Sequence, residues 1–409
     1  MGRRTLIVCI LLVFAAVACK KIMPGAPQSG EIVAEPIAGL SSAQMNKHLL
    51  GDAAFARIYT PEDGLGPIFI QSSCEGCHIG DGKGHPINVV TRFGKTGPNG
   101  FDYMSSEGGA QLQPRAIDGF QGEMLPGSHM FSTDRLPPLV TGLGLLAAIH
   151  DSTILNLTDS LDANGDGVKG TVNYIEPEPY TIFNPDIHIA NTQGKYIGRF
   201  GKKAKEITLQ DQILFALLED MGLTTVQEVE DLYNPQTGTL ATDNVSDPEI
   251  GSATVDNLLF YLRTLKAPTR RNQTDPDVIL GEALFAQIGC VKCHVPTITT
   301  ARSDIEVLSE IEIHPYTDLL LHDMGNVLDD GFPEGSSKSS QWRTPPLWGL
   351  GLAAESQGGD MYLLHHGQAS DINAVMSYHL GGEATSAATG YFELSSSEKE
   401  QVISFLMSL

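Results

Sequence analysis

The chain has 409 residues, a length that predicts roughly two or three domains with room for buried cores. It contains 26 Lys and Arg against 49 Asp and Glu, which gives a formal net charge of -23. Nucleic acid and anionic lipid surfaces are therefore not expected as its main partners. Its 43 glycines and 23 prolines predict long loops, and its six cysteines are the most informative residues.

The N-terminal residues 1–19 resemble a lipoprotein-type signal peptide. A basic pair precedes an apolar run at 6–18 that is too short to span a bilayer, and the run ends in Ala-Val-Ala-Cys at Cys19. Cys19 is therefore the candidate lipidation site, with an ordinary cleaved signal as the alternative. Residues 20–40 are rich in Pro, Gly and Ala and predict a flexible tether. We expect an exported protein that is lipid-anchored to a bacterial membrane and faces the periplasm or the cell surface.

Two segments, 74–78 and 290–294, share the pattern Cys-x-x-Cys-His. This pattern is typical of haem c attachment, because two thiols at this spacing can bond the two vinyl groups of one porphyrin and the next histidine can bind its iron. A zinc site would need a second pair of ligands, and a disulfide within each pair would leave the histidine without a role. The sequence predicts two covalently bound haems, attached through Cys74, Cys77, His78, Cys290, Cys293 and His294.

A second repeated element follows each Cys motif. Segments 135–148 and 343–354 both read Arg-x-Pro-Pro-Leu and then Gly-Leu-Gly-Leu. A haem motif followed at a similar distance by the same segment indicates a duplicated unit. We predict a mainly α fold with two duplicated cytochrome c-like haem domains and long Gly/Pro-rich loops. The N-terminal haem domain, with insertions, is placed at 41–268 and the C-terminal domain at 269–409.

Helical periodicity predicts three helices, near residues 246–267, 276–288 and 395–409. The second has Asp275 as its N-cap with a proline next, and leads into the second Cys motif. Its inward face is expected to carry Ile279, Ala283, Leu284 and Ile288. The third begins with a capping box at Ser395 and is expected to pack across the second helix.

Between residues 45 and 409 the chain resembles the di-haem oxidoreductases, also called thiol oxidoreductases. That family is related to bacterial di-haem cytochrome c peroxidases and to the di-haem enzyme of methylamine utilisation. The resemblance implies electron transfer linked to oxidation or peroxide chemistry, with one haem receiving electrons and the other reacting, and a redox partner protein such as a small cytochrome. The similar segments are 74–84, 135–149, 198–204, 220–222, 289–296, 314–325, 342–352, 362–368 and 379–384.

His379 is the predicted sixth ligand of the second haem. It shares one face of a short predicted helix with three apolar residues, Ile372, Val375 and Met376. The related peroxidases have a methionine at the matching position, so a histidine here implies a bis-histidine haem of lower potential. The alternatives are a hydrogen-bonded core histidine at 379 and three rival ligands, Met376, His322 and Met324.

The reacting site of the first haem is less well marked. Peroxide chemistry needs an open iron position and a nearby acid/base group. The resemblance implies a glutamine and a glutamate after the first Arg-x-Pro-Pro-Leu segment, but residues 158–170 contain neither. The candidate catalytic residues are Glu123 and His129, with Met124 and His85 as alternatives. No aromatic bridge between the haems is predicted, because both tryptophans, Trp342 and Trp348, follow the second motif.

Two further binding features are candidates. Asp162, Asn164 and Asp166 occupy positions 1, 3 and 5 of a calcium-type loop, although position 12 is not glutamate; calcium and a plain polar turn are the alternatives. Arg135 and Arg343 are candidate partners of haem propionates, with surface positions as the alternative.

Together these features predict an exported di-haem oxidoreductase. The alternatives are a non-catalytic electron carrier and a haem-bearing sensor or metal-uptake accessory protein. The acidic charge offers a candidate docking surface for a basic electron donor.

Overall fold

The computed structural model describes residues 34–238, 242–243 and 245–409. The predicted signal peptide, Cys19 and most of the tether lie outside the described residues. Helices account for 33% of the structure and strands for 12%, so helix predominates as predicted. Within the described ranges, no helix is both long enough and apolar enough to cross a membrane.

The helices of the described residues are numbered in chain order. They are α1 Ser42–Ala56, α2 Leu143–Ala147, α3 Asp151–Asn156, α4 Leu209–Met221, α5 Ser252–Thr264, α6 Pro276–Gln287, α7 Ala353–Ser356, α8 Ile372–Tyr378, α9 Thr385–Glu393 and α10 Ser396–Ser408.

The strands are short and pair only antiparallel. Three of them, β2 Val90–Gly97, β3 Gly100–Asp102 and β5 Phe131–Arg135, form one sheet in the order β3-β2-β5. The others form two-stranded pairs, namely β1 Ile68–Phe69 with β4 Arg115–Ala116, β6 Asn173–Ile175 with β7 Tyr196–Gly198, β8 Ile298–Thr299 with β9 Glu312–Ile313, and β10 Leu321–Asp323 with β11 Gln341–Arg343.

Two of the predicted helix starts are confirmed. The Asp275 side chain accepts a hydrogen bond from the backbone N–H of Asp277 at the start of α6, and Ser395 forms a capping box with Glu398 at the start of α10. The first predicted helix begins later than expected, at Ser252, because the residues before it are held in another way. The Thr224 hydroxyl donates to the Asp247 carboxylate, and the Ile250 N–H donates to the Thr224 carbonyl.

The predicted inward face of α6 is wrong in part. Ile279 is 52% exposed and Ala283 is also exposed, whereas Val278, Gly281 and Phe285 are buried. The prediction considered only the larger apolar residues and left out Gly281, which lies on the line of contact with α10. A Cβ at Gly281 would overlap the Gln401 carbonyl, so the backbones of the two helices touch there.

The same kind of helix crossing occurs between α1 and α5. A Cβ at Gly51 would overlap the Asn257 carbonyl, just as one at Gly281 would overlap a carbonyl of α10. Four residues after each glycine comes a buried phenylalanine, Phe55 or Phe285, whose ring centroid lies 5.5 Å from that of Tyr261 and 5.2 Å from that of Phe405 respectively. The two helix pairs are therefore built alike.

Each helix pair belongs to its own apolar cluster. The first cluster joins α1, α4 and α5, and the second joins α6, α8, α9 and α10. A third cluster mixes residues from both halves of the chain, including Leu145, Ile313 and Trp348. The boundaries 41–268 and 269–409 stay predictions.

The two Arg-x-Pro-Pro-Leu segments follow similar backbone paths. Each begins at the last residue of a strand, β5 or β11, and reaches a glycine of positive φ that starts a short helix. These glycines are Gly142, with φ 72°, and Gly349, with φ 75°. An L-residue with a side chain rarely adopts this conformation, so the repeated glycine has a structural cause.

Candidate di-haem site

Both Cys-x-x-Cys-His segments fold into tight turns that face a cavity. In the first, the His78 N–H donates to the Cys74 carbonyl over 3.0 Å, and in the second the His294 N–H donates to the Cys290 carbonyl over 3.0 Å. The four thiols are free. The side chains that line the cavity include Cys74, Cys77, His78, Cys290, Cys293 and His294.

The two motif histidines are oriented by backbone carbonyls. His78 Nδ1 lies 2.8 Å from the Pro138 carbonyl oxygen, and His294 Nδ1 lies 2.9 Å from the Tyr316 carbonyl oxygen. Because a carbonyl can only accept, Nδ1 carries the proton and the Nε2 lone pair remains for a metal. Burial lowers the pKa of both imidazoles to about 4, so both rings are neutral near pH 7.

One continuous cavity connects the two motifs. Its empty space, counted out to its openings to solvent, amounts to about 3330 Å³. Its walls come from α4 and α5 near the first motif and from α8 near the second, with both Arg-x-Pro-Pro-Leu segments contributing. The cavity is mainly apolar, and apolar walls with a few placed polar groups are typical of cofactor sites.

His379 faces this cavity from the end of α8. Its Nδ1 lies 2.8 Å from the Val375 carbonyl oxygen, which again leaves the Nε2 lone pair available. It is close enough to His294 for the two rings to interact electrostatically. Met376 lies one turn earlier, is 8% exposed and packs in the second apolar cluster. Met324 also lines the cavity.

His322, one of the rival ligands, is hydrogen-bonded through both ring nitrogens. Its Nδ1 lies 2.9 Å from a Glu383 oxygen and its Nε2 lies 2.8 Å from an Asp318 oxygen, so neither nitrogen has a free lone pair. Burial alone would lower the pKa of His322, but the hydrogen bonds to Asp318, to the Cys293 thiol and to Glu383 raise it to about 12. The ring therefore lies between two carboxylates and beside a thiol of the second motif.

A buried amide, Gln111, and a half-buried carboxyl, Asp220, form part of the wall near the first motif. Gln111 Nε2 donates to Asp220 Oδ1 over 2.7 Å, and both side chains line the cavity. Burial raises the pKa of Asp220 to about 6, although the Gln111 hydrogen bond and the charge of Arg92 act in the opposite direction. The Asp220 charge also contributes to the raised pKa of Cys74 and of Cys77, which places this carboxyl near both thiols.

The predicted catalytic residues do not line this cavity. Glu123 is buried behind the wall, where its Oε2 accepts from the Gln113 N–H over 2.9 Å, and burial raises its pKa to about 7. His129 is half-buried, and its Nδ1 lies 2.5 Å from the Pro126 carbonyl oxygen. Met124 is 75% exposed. Gln111 and Asp220 instead line the cavity near the first motif, where the catalytic residues were expected.

Of the remaining alternatives, His85 also lies outside the cavity. Its Nδ1 accepts from the Ile87 N–H over 3.2 Å, and its ring stacks edge-on against Tyr362. Asp220 was not among the predicted residues, because it lies on α4, more than a hundred residues after the first motif.

The two candidate arginines differ. Arg135 is buried and donates to Asp330 and to Glu334 over 3.0 Å each, so the prediction that it binds a haem propionate is not supported. Burial would raise the pKa of Glu334, but the charge of Arg135 outweighs it and the pKa falls to about 2. Arg343 instead donates to the Gly201 carbonyl over 3.0 Å, and within the described ranges it has no ion pair with a carboxylate.

Three cations of the cavity wall lie close together. Burial lowers the pKa of Lys202 well below its ordinary value, and the charges of Lys83, Arg343 and Arg135 lower it further. Burial also lowers the pKa of Lys83 to about 7. Both lysines are half-buried, in the described part of the chain neither forms an ion pair, and a cation held away from water without a counter-charge is costly. A haem carries two propionates, so Lys83, Lys202 and Arg343 fit a cavity that receives an anionic cofactor.

The calcium-type loop is closed by its own backbone. Asp162 Oδ1 accepts from the Gly167 N–H over 3.0 Å, and Asn164 Oδ1 accepts from the Asp166 N–H over 2.9 Å. One Asp166 oxygen accepts from the backbone and the other lies 3.1 Å from Lys292 Nζ. Each of these oxygens keeps a second lone pair, so the bonds are compatible with either a calcium loop or a plain polar turn, and the calcium site stays a prediction.

Both tryptophans line the shared cavity, contrary to what their sequence positions suggested. Trp342 stacks on His365 with ring centroids 4.5 Å apart, and Lys203 Nζ lies 4.1 Å from the centre of the Trp342 ring. Trp348 fills the space above Gly142, where a Cβ would overlap its ring. The two repeated segments pack against each other, which brings Trp348 beside the first half of the chain.

The comparisons with known proteins agree with these features. The family model described as "Di-haem oxidoreductase, putative peroxidase" matches residues 19–96 and 128–409. The chain matches no curated protein.

Two of the solved structures that are similar to the chain illustrate the match. One is hydrazine synthase of Kuenenia stuttgartiensis, pressurised with xenon, at 12% identity and a TM-score of 0.38, covering 95% of this chain and 93% of that chain. The other is a MauG-like protein associated with microbial copper homeostasis, at 14% identity and a TM-score of 0.38, covering 92% of each chain. Since the family model spans most of the sequence, the chain belongs to the di-haem oxidoreductase family.

Proposed function

We propose that the chain is an exported di-haem c-type cytochrome oxidoreductase whose second haem transfers electrons and whose first haem performs peroxidase-like chemistry. The observation that carries the proposal is one cavity that contains both Cys-x-x-Cys-His turns. Haem c, when bound, supplies an iron that changes oxidation state and, with one coordination position open, reacts with peroxide. The remaining roles belong to the side chains around it.

The second site is suited to electron transfer alone. His294 and His379 both donate Nδ1–H to carbonyls, so each presents a neutral Nε2 to the cavity. We assign these two nitrogens to one iron, with Cys290 and Cys293 holding the porphyrin. With both imidazoles bound, that iron would have no position left for a substrate, and its potential would be lower than with a histidine–methionine pair. Electrons would enter the protein here.

The first site is suited to chemistry. His78 would bind the iron of the first haem, and in the described part of the chain no other histidine of the wall presents a carbonyl-oriented Nε2 near the first motif as His379 does near the second. Asp220 would accept a proton from peroxide and return it to the departing oxygen, because a carboxyl with a pKa of about 6 exchanges protons easily near neutral pH. Gln111 holds that carboxylate in place.

The cations of the wall position the cofactors. Lys83, Lys202 and Arg343 supply positive charge in a site that apolar walls shield from water. Charge-assisted hydrogen bonds to propionates would compensate these buried cations. Calcium at 162–166 is not part of the proposal.

Export and a basic partner complete the proposal. Haem c attachment occurs outside the cytoplasm, in agreement with the signal-like residues 1–19, and Cys19 is the proposed lipid anchor. A Cys19→Ala variant should move from the membrane fraction to the soluble fraction. With a formal net charge of -23, the protein should accept electrons from a basic donor at a rate that falls with ionic strength.

The test is peroxide-dependent oxidation of a reduced small cytochrome by the purified protein with both haems. We expect turnover by the wild type and none by a Cys74→Ala/Cys77→Ala variant, which keeps the second site. Two covalent haems without turnover in any redox state would instead identify an electron carrier.

A further inference from the structure

Three side chains, Asp318, His322 and Glu383, form a hydrogen-bonded triad beside the second Cys motif. His322 lies on β10 and is 3% exposed, and Asp318 is 1% exposed. His322 Nε2 lies 2.8 Å from Asp318 Oδ2, and His322 Nδ1 lies 2.9 Å from Glu383 Oε2. The Cys293 thiol is within 4.8 Å of the ligand atoms of Asp318 and His322. The triad therefore extends from a thiol of the second motif to the loop that directly follows His379.

Glu383 connects the triad to two further segments of the backbone. Its Oε1 accepts a hydrogen bond from the Asp323 N–H over 3.0 Å, and its Oε2 accepts one from the Lys169 N–H over 2.7 Å. Its own N–H donates to the Asp323 carbonyl over 2.8 Å. One carboxylate thus fixes the loop after His379 against β10 and against a segment that precedes α4 in the chain.

Two glycines allow this loop to lie directly on the end of β10. A Cβ at Gly382 would overlap the Asp323 carbonyl, and a Cβ at Gly325 would overlap the Gly381 carbonyl. Gly325 also has a φ of 71°, which a residue with a side chain rarely adopts. The backbone at 381–383 is therefore in direct contact with the backbone at 323–325.

The hydrogen bond that orients His379 lies within its own helix. His379 Nδ1 is 2.8 Å from the carbonyl oxygen of Val375, one turn earlier in α8. This bond sets the orientation of the ring, but it does not connect the end of α8 to the second motif. Glu383 and His322 make that connection, because they join the loop after His379 to the surroundings of Cys293.

We propose that His322 and Glu383 are positioning residues, which hold the loop after His379 against the second motif so that His294 and His379 can bind one iron. This role rests on the proposed bis-histidine coordination of the second haem. Residues that support a metal ligand from behind fix its position, and their loss usually costs about 10- to 100-fold in metal affinity. Here the support acts on the loop beside the ligand, while Val375 orients the ring.

The experiment measures carbon monoxide binding to the reduced protein with both haems, because carbon monoxide must displace His379 to bind the second iron. The variants are Glu383→Gln and His322→Gln. Glu383→Gln keeps the size of the side chain but replaces one acceptor oxygen by an amide nitrogen, so the contacts of both oxygens cannot be kept. The matched control is Glu393→Gln, an exposed glutamate at the end of α9.

Wild type and control should bind one carbon monoxide per protein tightly, at the first haem, and a second one only weakly. In both variants the second carbon monoxide should bind about 10- to 100-fold more tightly, because His379 competes less well for the iron. Intact mass should show two covalent haems in every protein compared. A purely structural role would lower the unfolding temperature of the variants and leave this affinity unchanged.

A His379→Ala variant separates the two ways in which the proposal can fail. If it gains a tight second site while Glu383→Gln and His322→Gln bind carbon monoxide as the wild type does, the positioning role is overturned and the ligand assignment stands. If the wild type already binds a second carbon monoxide as tightly as His379→Ala does, the bis-histidine coordination is wrong and the positioning role is overturned with it.

Discussion

The two Cys-x-x-Cys-His regions share a frame but differ in what faces the cavity. In each, a glycine-mediated helix crossing places a phenylalanine beside the proximal histidine, with ring centroids 6.1 Å apart for Phe55 and His78 and 6.2 Å for Phe285 and His294. Each histidine donates Nδ1–H to a carbonyl. The local parts that would seat a haem are therefore the same.

The opposing walls are different. Near the second motif α8 presents His379, a neutral imidazole with a free Nε2. Near the first, the wall presents Asp220 with Gln111 bonded to it. A ligand on one side and a proton-transferring group on the other would separate electron transfer from chemistry. The frame is thus common to both motifs and the wall elements are not, so under the proposed function the wall elements would decide what each haem does.

The largest expected effect is the loss of a whole cofactor. Replacing Cys290 and Cys293 by alanine, or Cys74 and Cys77, removes both thioether positions of one motif and leaves the other intact. Each double variant should carry one covalent haem in place of two, as measured by intact mass. Loss of both haems from either variant would show that the two sites do not form independently.

The next effect concerns the first wall. Asp220→Asn removes the proton-transferring carboxyl, so peroxide turnover should fall by about 10²- to 10⁴-fold, the usual range for general acid–base catalysis. The spectrum of the second haem should not change. Glu123→Gln is the matched control, since that carboxyl lies behind the wall and should have a much smaller effect. Equal losses in both variants would contradict the role of Asp220.

The pH dependence of peroxide turnover is a second test of the role of Asp220. Proton uptake from peroxide needs the carboxylate form, and the pKa of Asp220 is raised to about 6. Turnover by the wild type should therefore rise as pH increases through about 6 and then level off. This rise should be absent in Asp220→Asn. A profile of the same shape in both proteins would assign the titration to another group.

The shared frame can be tested through its glycines. Gly51→Ala and Gly281→Ala push a Cβ into a carbonyl of the crossing helix, so each should lower the free energy of unfolding by about 1–3 kcal/mol, as overpacking does. Gly127→Ala is the control, because a Cβ there meets no atom within 4 Å and its φ is not positive. Denaturant unfolding measures all three. A loss in only one glycine variant would show that the two crossings are not equivalent.

The smallest expected effect is a change in the reduction potential of the second haem. His379→Met exchanges an imidazole for a thioether, which stabilises reduced iron, so the potential of the second haem should rise. His379→Ala should make that haem high-spin. Met376→Leu is the matched control on the same helix and should change neither. Unchanged spectra in both His379 variants would show that another side chain binds the second iron.

Local patterns predicted the parts that depend on near neighbours in sequence. Motif and periodicity identified three such parts, namely the Cys-x-x-Cys-His turns, the caps at Asp275 and Ser395, and the cavity-facing position of His379. The prediction of the inward face of α6 was wrong in part, because the helix contacts α10 at Gly281 and not through a large apolar residue.

The parts that depend on distant segments were missed. Asp220 comes from α4 and joins Gln111 only through the fold, and Trp348 reaches the first half because the two repeated segments pack together. Asp162 and Asp166 match a calcium pattern in spacing, but the pattern did not show that the Gly167 N–H and Lys292 Nζ would contact their oxygens. Residue types in order do not show which donors will satisfy an acceptor.

The central claim is that two similar frames hold haems of unlike coordination. Electron paramagnetic resonance of the oxidised and half-reduced protein tests it most directly, because it counts the ligand sets. We predict one low-spin haem, assigned to His294 and His379, and one haem that is high-spin in at least one of these states. Two low-spin haems in both states, with no reaction with peroxide, would contradict the account.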